Sequence, residues 1–172
     1  MIWKRCSWRK ASWVALPLPD PPLADEVVVL RPWSVHDVDA LVDAWADPEI
    51  QKWTLVPGAR SAADALRWIS AEHLRRDRAL ALDLVIASAA DQSRLLGEVG
   101  MVPLAGGPSR AELGWWVAPE HRRQGIATRA VALFAGWLRD ALELSDLFAE
   151  VDMDNPASVW VAESANLRLR IR

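Results

Sequence analysis

A chain of 172 residues, 52% of them apolar, is long enough to bury one sizeable core and too short for two ordinary domains. Its net charge of −3, with only Lys4, Lys10 and Lys52 as lysines, excludes a global basic field that would serve nucleic acid, and the single cysteine, Cys6, excludes an internal disulfide. No run approaches the roughly 20 apolar residues of a membrane span, so the expected location is the cytoplasm, with neither membrane nor nucleic acid as partner.

The chain opens with Lys4, Arg5, Arg9 and Lys10, then an apolar run over 11–16 that is too short for a secretory signal and is followed by prolines at 17, 19, 21 and 22. Residues 1–24 are therefore expected to be an extended or disordered leader to a domain over 25–172. The β-branched run 27–31 stops at Pro32 and predicts a first strand. Ser34, with Asp37 three residues on, caps a helix reaching about Trp45, which Asp47-Pro48 breaks. Ser61 and Asp64 repeat that pattern and open a second helix, with Ala65, Trp68, Ile69 and His73 on one stripe.

Two strands follow, over 80–88 and 95–102, joined by a polar turn at 90–93. Gly106-Gly107-Pro108 turns the chain into a third strand at Glu112, which Pro119 ends. From Ile126 the apolar positions Ala130, Leu133, Phe134, Trp137 and Ala141 recur at helical spacing. A strand near 147–151 and a helix after Asn155 complete the order.

The segment from Arg122 to Thr128 thus starts a long helix. There the first backbone N–H groups lack partners and the peptide dipoles leave partial positive charge, so the main chain itself binds an anion. Gly125 lets the backbone approach; Arg122 and Arg123 add charge.

Arg122, Gly125 and Ala127, spaced Arg-x-x-Gly-x-Ala between a strand and a helix, resemble the pyrophosphate loop of the GNAT acetyltransferase superfamily. The run Asp152-Met-Asp-Asn155-Pro-Ala-Ser158, with Val161-Ala-Glu163 behind it, resembles the second family motif. Upstream, Val29-Leu-Arg31-Pro-Trp and Asp47-Pro-Glu-Ile50 are similar to the opening of the RimJ/RimL-type branch, which acetylates protein N-termini and small amines. The resemblance runs from about residue 27 to 167. It implies an α/β fold, a mixed and mostly antiparallel sheet flanked by helices. Family members continue past the second motif into a hairpin of two strands, whereas here residues 167–171 alternate like one strand and Arg172 follows. The last hairpin is expected to be missing and the strand at 147–151 to keep an open edge, which invites pairing with another chain, as in a homodimer. Asn166 stands where the family has glycine after the helix, and it tolerates the left-handed cap.

The same resemblance implies acetyl-CoA as co-substrate and a primary amine as acceptor, a protein N-terminus or a small molecule. Arg122, Arg123, Gln124, Gly125, Ile126, Ala127 and Thr128 would hold the diphosphate, Asn155 the pantetheine amides, and a backbone N–H near Val117 would polarise the thioester carbonyl. Asn155 equally suits a plain helix cap. Many relatives protonate the departing thiolate with a tyrosine; this chain has none, and Ser158 is the nearest substitute.

Glu112 and Glu98, on adjacent strands, are candidates for the base, with Glu112 favoured because it shares strand parity with Gly114 and Trp116 unless a bulge resets it. His121 reads as a surface residue, His36 and His73 as packing or solvated helix residues, and no spacing suggests a metal site. Among eleven tryptophans, Trp45, Trp68 and Trp137 fall on apolar stripes, while Trp33, Trp53 and Trp116 are expected to border the acceptor pocket. Arg31 would serve an acceptor carboxylate or pair with Asp37. The rival to an active enzyme is a degenerate, non-catalytic coenzyme A-binding module, favoured by the absent tyrosine, the unassigned base and the missing hairpin.

Overall fold

Period-two alternation along the strands lays out two cores, one on each side of a seven-stranded sheet. The computed structural model describes residues 15–54, 56, 61–104 and 109–172. Strands β1 (Leu23–Ala24), β2 (Val28–Arg31), β3 (Leu82–Ser88), β4 (Leu95–Pro103) and β5 (Arg110–Val117) pair antiparallel in chain order. Then β6 (Asp146–Val151) adds in parallel to β5, and β7 (Arg168–Ile171) in parallel to β6. Parallel neighbours need crossovers, which α5 (Ile126–Ala141) and α6 (Pro156–Ser164) provide. Helices α1 (Val38–Ala46), α2 (Pro48–Trp53), α3 (Ala62–Ser70) and α4 (Glu72–Asp77) lie between β2 and β3 in the chain.

On one face Leu84, Ile86, Val99, Met101 and Leu113 pack with Phe134 and Leu138 of α5. On the other, Val29, Val85 and Trp116 pack with Leu41, Trp45 and Trp68. Each such side chain, fully buried, stabilises the fold by about 1.5–3 kcal/mol. Both predicted capping boxes form: Ser34 with Asp37 opens a short 3-10 turn leading into α1, and Ser61 with Asp64 opens α3.

Asp47-Pro48 does more than break a helix. The Asp47 carboxylate accepts from the Ile50 N–H at 2.9 Å and Pro48 takes the first helical position, where its missing N–H costs nothing, so α2 starts at once. His73 leaves the predicted stripe because the chain passes from α3 to α4 at Ala71, and it is exposed.

Residues 15–24 are extended, yet they pack. Leu16 is wholly buried in the larger core, its N–H donates to Arg76 O at 3.0 Å, and β1 pairs with β2, so the folded body reaches upstream of residue 25. Cys6 and the basic residues near it lie outside the described residues.

The expected open edge on β6 is a second correction. Residues Phe148 to Val151 pair with Arg168 to Ile171, so β7 covers that edge and itself becomes the outer strand. What turns the chain into β7 is the cap at Asn166: its φ is +54°, its N–H donates to Glu163 O at 3.0 Å, and the Leu167 N–H donates to Ala162 O at 2.9 Å. These two bonds satisfy the last carbonyls of α6 in a Schellman arrangement. Arg168 and Arg170 alternate along the new edge, and charge there discourages pairing with a further strand.

Candidate active site

β5 is held on both edges over its first half and on one edge over its second. Its pairing with β6 ends at Leu113 opposite Ala149, whereas pairing with β4 continues to Val117 opposite Gly97. The Ala118 N–H donates to Leu96 O at 2.9 Å, toward β4. Because successive N–H groups of a strand point to opposite edges, those of Trp115 and Val117 point into the gap that β6 has left. The Val117 carbonyl faces the same way and accepts from Arg122 Nε at 3.0 Å.

Arg122 is committed to that strut rather than to an open loop. Its Nη2 bonds Asp47 Oδ1 at 2.5 Å, tying the end of β5 to the start of α2. Burial pushes the Asp47 carboxyl up, but the Arg122 guanidinium and the Ile50 N–H outweigh it and hold the group below the usual carboxylate range. Arg129 is committed as well, to Asp25 at 2.9 Å and Glu26 at 2.6 Å. Arg123 is exposed and has no carboxylate partner among the described residues.

Arg123 and Gly125 both adopt left-handed backbone, φ +61° and +76°, on either side of Gln124. Alternation of this kind turns successive N–H groups toward one side. A Cβ on Gly125 would meet nothing within 4 Å, so the conformation and the open space in front of it, not crowding, call for glycine there. Helix α5 then begins with no side-chain cap and no acidic residue in its first turn. The N–H groups of Ile126, Ala127 and Thr128 have no carbonyl one turn earlier, and they head a helix of 16 residues. Main-chain donors arranged in this way can hold an anion.

These elements enclose a cleft of about 490 Å³. At one end it is lined by Arg122, Arg123, Gly125, Ile126, Ala127 and Thr128, and along one side by Asn155 and Ser158 of α6. Trp53, Trp116 and Val117 complete what the sequence brought to it. The Asn155 Oδ1 caps α6 by accepting the Ser158 N–H at 3.2 Å, which leaves its amide N–H groups for other partners. Capping and ligand binding thus use different atoms of one side chain.

Five predicted positions fall elsewhere. Glu112 does not line the cleft: β5 keeps its register on β4, so the predicted parity with Trp116 holds, but Glu112 belongs to the closed half, 3.8 Å from Arg170. Burial, with Glu150 adding to it, pushes its carboxyl up. Trp33 packs edge-on against Trp68, ring centres 5.1 Å apart, within the α1–α3 core. Gln124 also lies outside the lining; its side chain donates to Glu120 O at 3.0 Å. Glu98 is fully buried behind Trp116, whose Nε1–H donates to it. Arg31 grips Asp37 with two bonds, 2.8 and 2.7 Å, and is not free for an acceptor carboxylate.

The cleft also has walls that sequence reasoning missed. His121, read as a surface residue, is 6% exposed and lines it, as do Glu49, Trp115 and Trp160. Trp115 has the opposite parity to Trp116, and only the opening of the sheet brings both strand faces to one cavity. The indole of Trp53 is held by Glu49, Nε1 to Oε2 at 2.8 Å. No helix among the described residues is long and apolar enough to cross a membrane.

A sheet that opens beside a glycine loop and an uncapped helix gives the cleft main-chain donors suited to an anionic ligand. Residues 28–168 match the acetyltransferase (GNAT) domain family, and the chain belongs to that family of acetyltransferases. It is 27% identical over 140 residues to the uncharacterized N-acetyltransferase YoaA of Bacillus subtilis (strain 168), covering 80% of this chain and 77% of that protein. In fold it is similar to RimJ of Mycobacterium smegmatis, solved in complex with CoA-disulfide, with a TM-score of 0.70, 24% identity and coverage of 79% of this chain and 68% of the other. It is likewise similar to a GNAT-family acetyltransferase of Bacillus anthracis, with a TM-score of 0.72, 17% identity and coverage of 86% and 83%.

Proposed function

We propose that the protein transfers the acetyl group of acetyl-CoA to a primary amine, a protein N-terminus or a small molecule, by direct attack. The observation that carries this reading is the pairing of two sets of main-chain donors on one cleft: the uncapped N–H groups of α5, and those of Trp115 and Val117 on the open edge of β5. The first set takes the diphosphate, with the exposed Arg123 as its cation. The pantetheine arm follows the open edge past Asn155, and the Val117 N–H takes the thioester oxygen as it becomes an oxyanion.

The amine nitrogen then attacks the carbonyl carbon. The C–S bond breaks, the thiolate leaves against the Ser158 hydroxyl, and a proton reaches the sulfur through Ser158 or water. The proton that the amine gives up passes to Glu49 or His121, directly or by water, since these side chains bring a carboxylate and an imidazole to the cleft. The four indoles of Trp53, Trp115, Trp116 and Trp160 suit an acceptor with an apolar or aromatic body. A location in the cytoplasm would supply the co-substrate.

The rival reading, a coenzyme A-binding module without turnover, is favoured by one observation: both predicted base carboxylates, Glu98 and Glu112, lie off the cleft. Free-thiol release from acetyl-CoA, measured across a panel of peptides and small amines, separates the two. Turnover that falls in Ser158→Ala while acetyl-CoA affinity holds supports direct transfer; tight binding with no thiol release from any amine supports the module.

A further inference from the structure

Behind the cleft wall lies a carboxylate that the reaction does not touch and that the core does not need. Glu98 is 1% exposed and stands directly across from Trp116, the two strands pairing there residue against residue. The Trp116 Nε1–H donates to Glu98 Oε2, while Oε1 has no partner among the described residues. The strands are locked around this contact: a Cβ on Gly97 would come within 2.2 Å of Trp116 O, and one on Gly100 within 2.5 Å of Asp83 Oδ1. Trp116 itself is among the residues that line the cleft. An ion buried without a cation of its own costs several kcal/mol, and an apolar residue would pack more cheaply, so stability does not explain Glu98.

We propose that Glu98 is a positioning residue for the acceptor side of the cleft, fixing the Trp116 indole through its Nε1–H and loosening that hold when the carboxyl takes up a proton. A hydrogen bond to an ionised acceptor is about twice as strong as one to a neutral acceptor, so the proton state of Glu98 sets the stiffness of the wall. Burial pushes this carboxyl up to about 7, with Asp83 adding to the rise and the Trp116 N–H opposing it.

Among the described residues the charged groups around it are few. Asp83 of β3 lies on the same sheet face, Arg75 of α4 holds Asp83 Oδ2 at 3.2 Å, and Arg76 and Glu72 of α4 pair at 3.4 Å beside them. Arg75 gives a hydrogen bond to Asp83, and its charge opposes the rise at Glu98, whose own hydrogen bond comes from the indole. The catalytic consequence rests on the acetyl-transfer reading above; the tie between Glu98 and Trp116 does not.

The experiment is an indole N–H spectrum of the whole chain labelled with ¹⁵N-tryptophan, recorded from pH 5.5 to 8.5, with the Trp116 signal identified as the one lost in Trp116→Phe. The wild type should show that signal moving through a one-proton transition centred near 7. In Glu98→Gln, whose amide oxygen still accepts the N–H, the signal should stay in place across the range. Coenzyme A affinity, read by calorimetry, should change less than threefold in that variant. A Trp116 signal that ignores pH in the wild type overturns the proposal even if Glu98→Gln fails to fold, and so does an unchanged transition in Glu98→Gln. A protein that shows the transition but binds no coenzyme A leaves the positioning role standing and removes the function assigned to the cleft.

Discussion

The two halves of β5 carry the same backbone into opposite situations. From Arg110 to Leu113 the strand is bonded on both edges, and its side chains serve the fold: Ala111 and Leu113 fill the core, and Glu112 faces Arg170. From Gly114 to Val117 one edge is released, and the same strand supplies free amides and two indoles to a cleft. A sheet normally pairs every buried N–H. Where it stops doing so next to a cavity, an amide-bearing ligand that lies along the edge can replace the missing strand, and Glu112 lies on the closed side of that boundary.

The strongest way to break this contrast is Gly97→Val. Gly97 lies opposite Val117, and the added side chain would run into Trp116 O, so β4 must part from the open half. We expect a loss of about 3 kcal/mol or more in urea unfolding, with the open half the first to lose hydrogen-exchange protection. Gly125→Val leaves the sheet intact and strikes the anion site. The left-handed backbone at +76° costs a β-branched residue about 1–2 kcal/mol, and the side chain projects into the open space before the loop. Coenzyme A affinity should drop about tenfold or more by calorimetry; an unchanged value would detach the loop from the diphosphate.

Arg122→Ala removes the strut that satisfies the Val117 carbonyl and pairs with Asp47. The expected loss is about 1–2 kcal/mol near neutral pH, since hydrogen bonds to charged groups contribute on that scale. Because Asp47 titrates lower in the folded than in the unfolded state, its contribution is present above the unfolded value of 3.8 and is lost as pH falls through the folded one. The wild type should therefore lose more stability than Arg122→Ala between pH 5 and 2, and parallel curves would show the pair to be idle. The smallest effect serves as a control outside both halves. Ala79 closes α4 with φ +50°, and Ala79→Gly should raise stability by about 0.5 kcal/mol, the relief of left-handed strain less the entropy of glycine, with no change in coenzyme A affinity.

Much of this was legible from short-range chemistry. Ser34 with Asp37, Ser61 with Asp64, and Asn166 at the end of α6 each act within a few residues, so a linear reading finds them. The glycine loop and the helix behind it are equally local. Asp47-Pro48 was legible too, but in two ways: the same pair that ends α1 also starts α2, and only packing of Ile50 into the core decides for a helix.

Side-chain destinations were harder. Trp33 and Trp53 look alike in sequence, two indoles near element ends; one packs on Trp68 and the other is turned into the cleft by Glu49. His121 precedes an exposed loop yet is buried and lines the cleft, next in sequence to the Arg122 strut.

By itself the sequence determined the longer elements, the capping boxes, the uncapped helix start and the family, because each depends on residues within a turn or two of one another. The tertiary structure decided which half of β5 is open, that β7 rather than β6 forms the outer edge, that residues 15–24 join the body, and which of Glu49, Glu98, Glu112 and His121 meet the cleft. Those outcomes depend on where β6 parts from β5, a contact between residues some 36 positions apart in the chain, as the pairing of Arg110 with Asp146 records. No local periodicity encodes where that pairing stops.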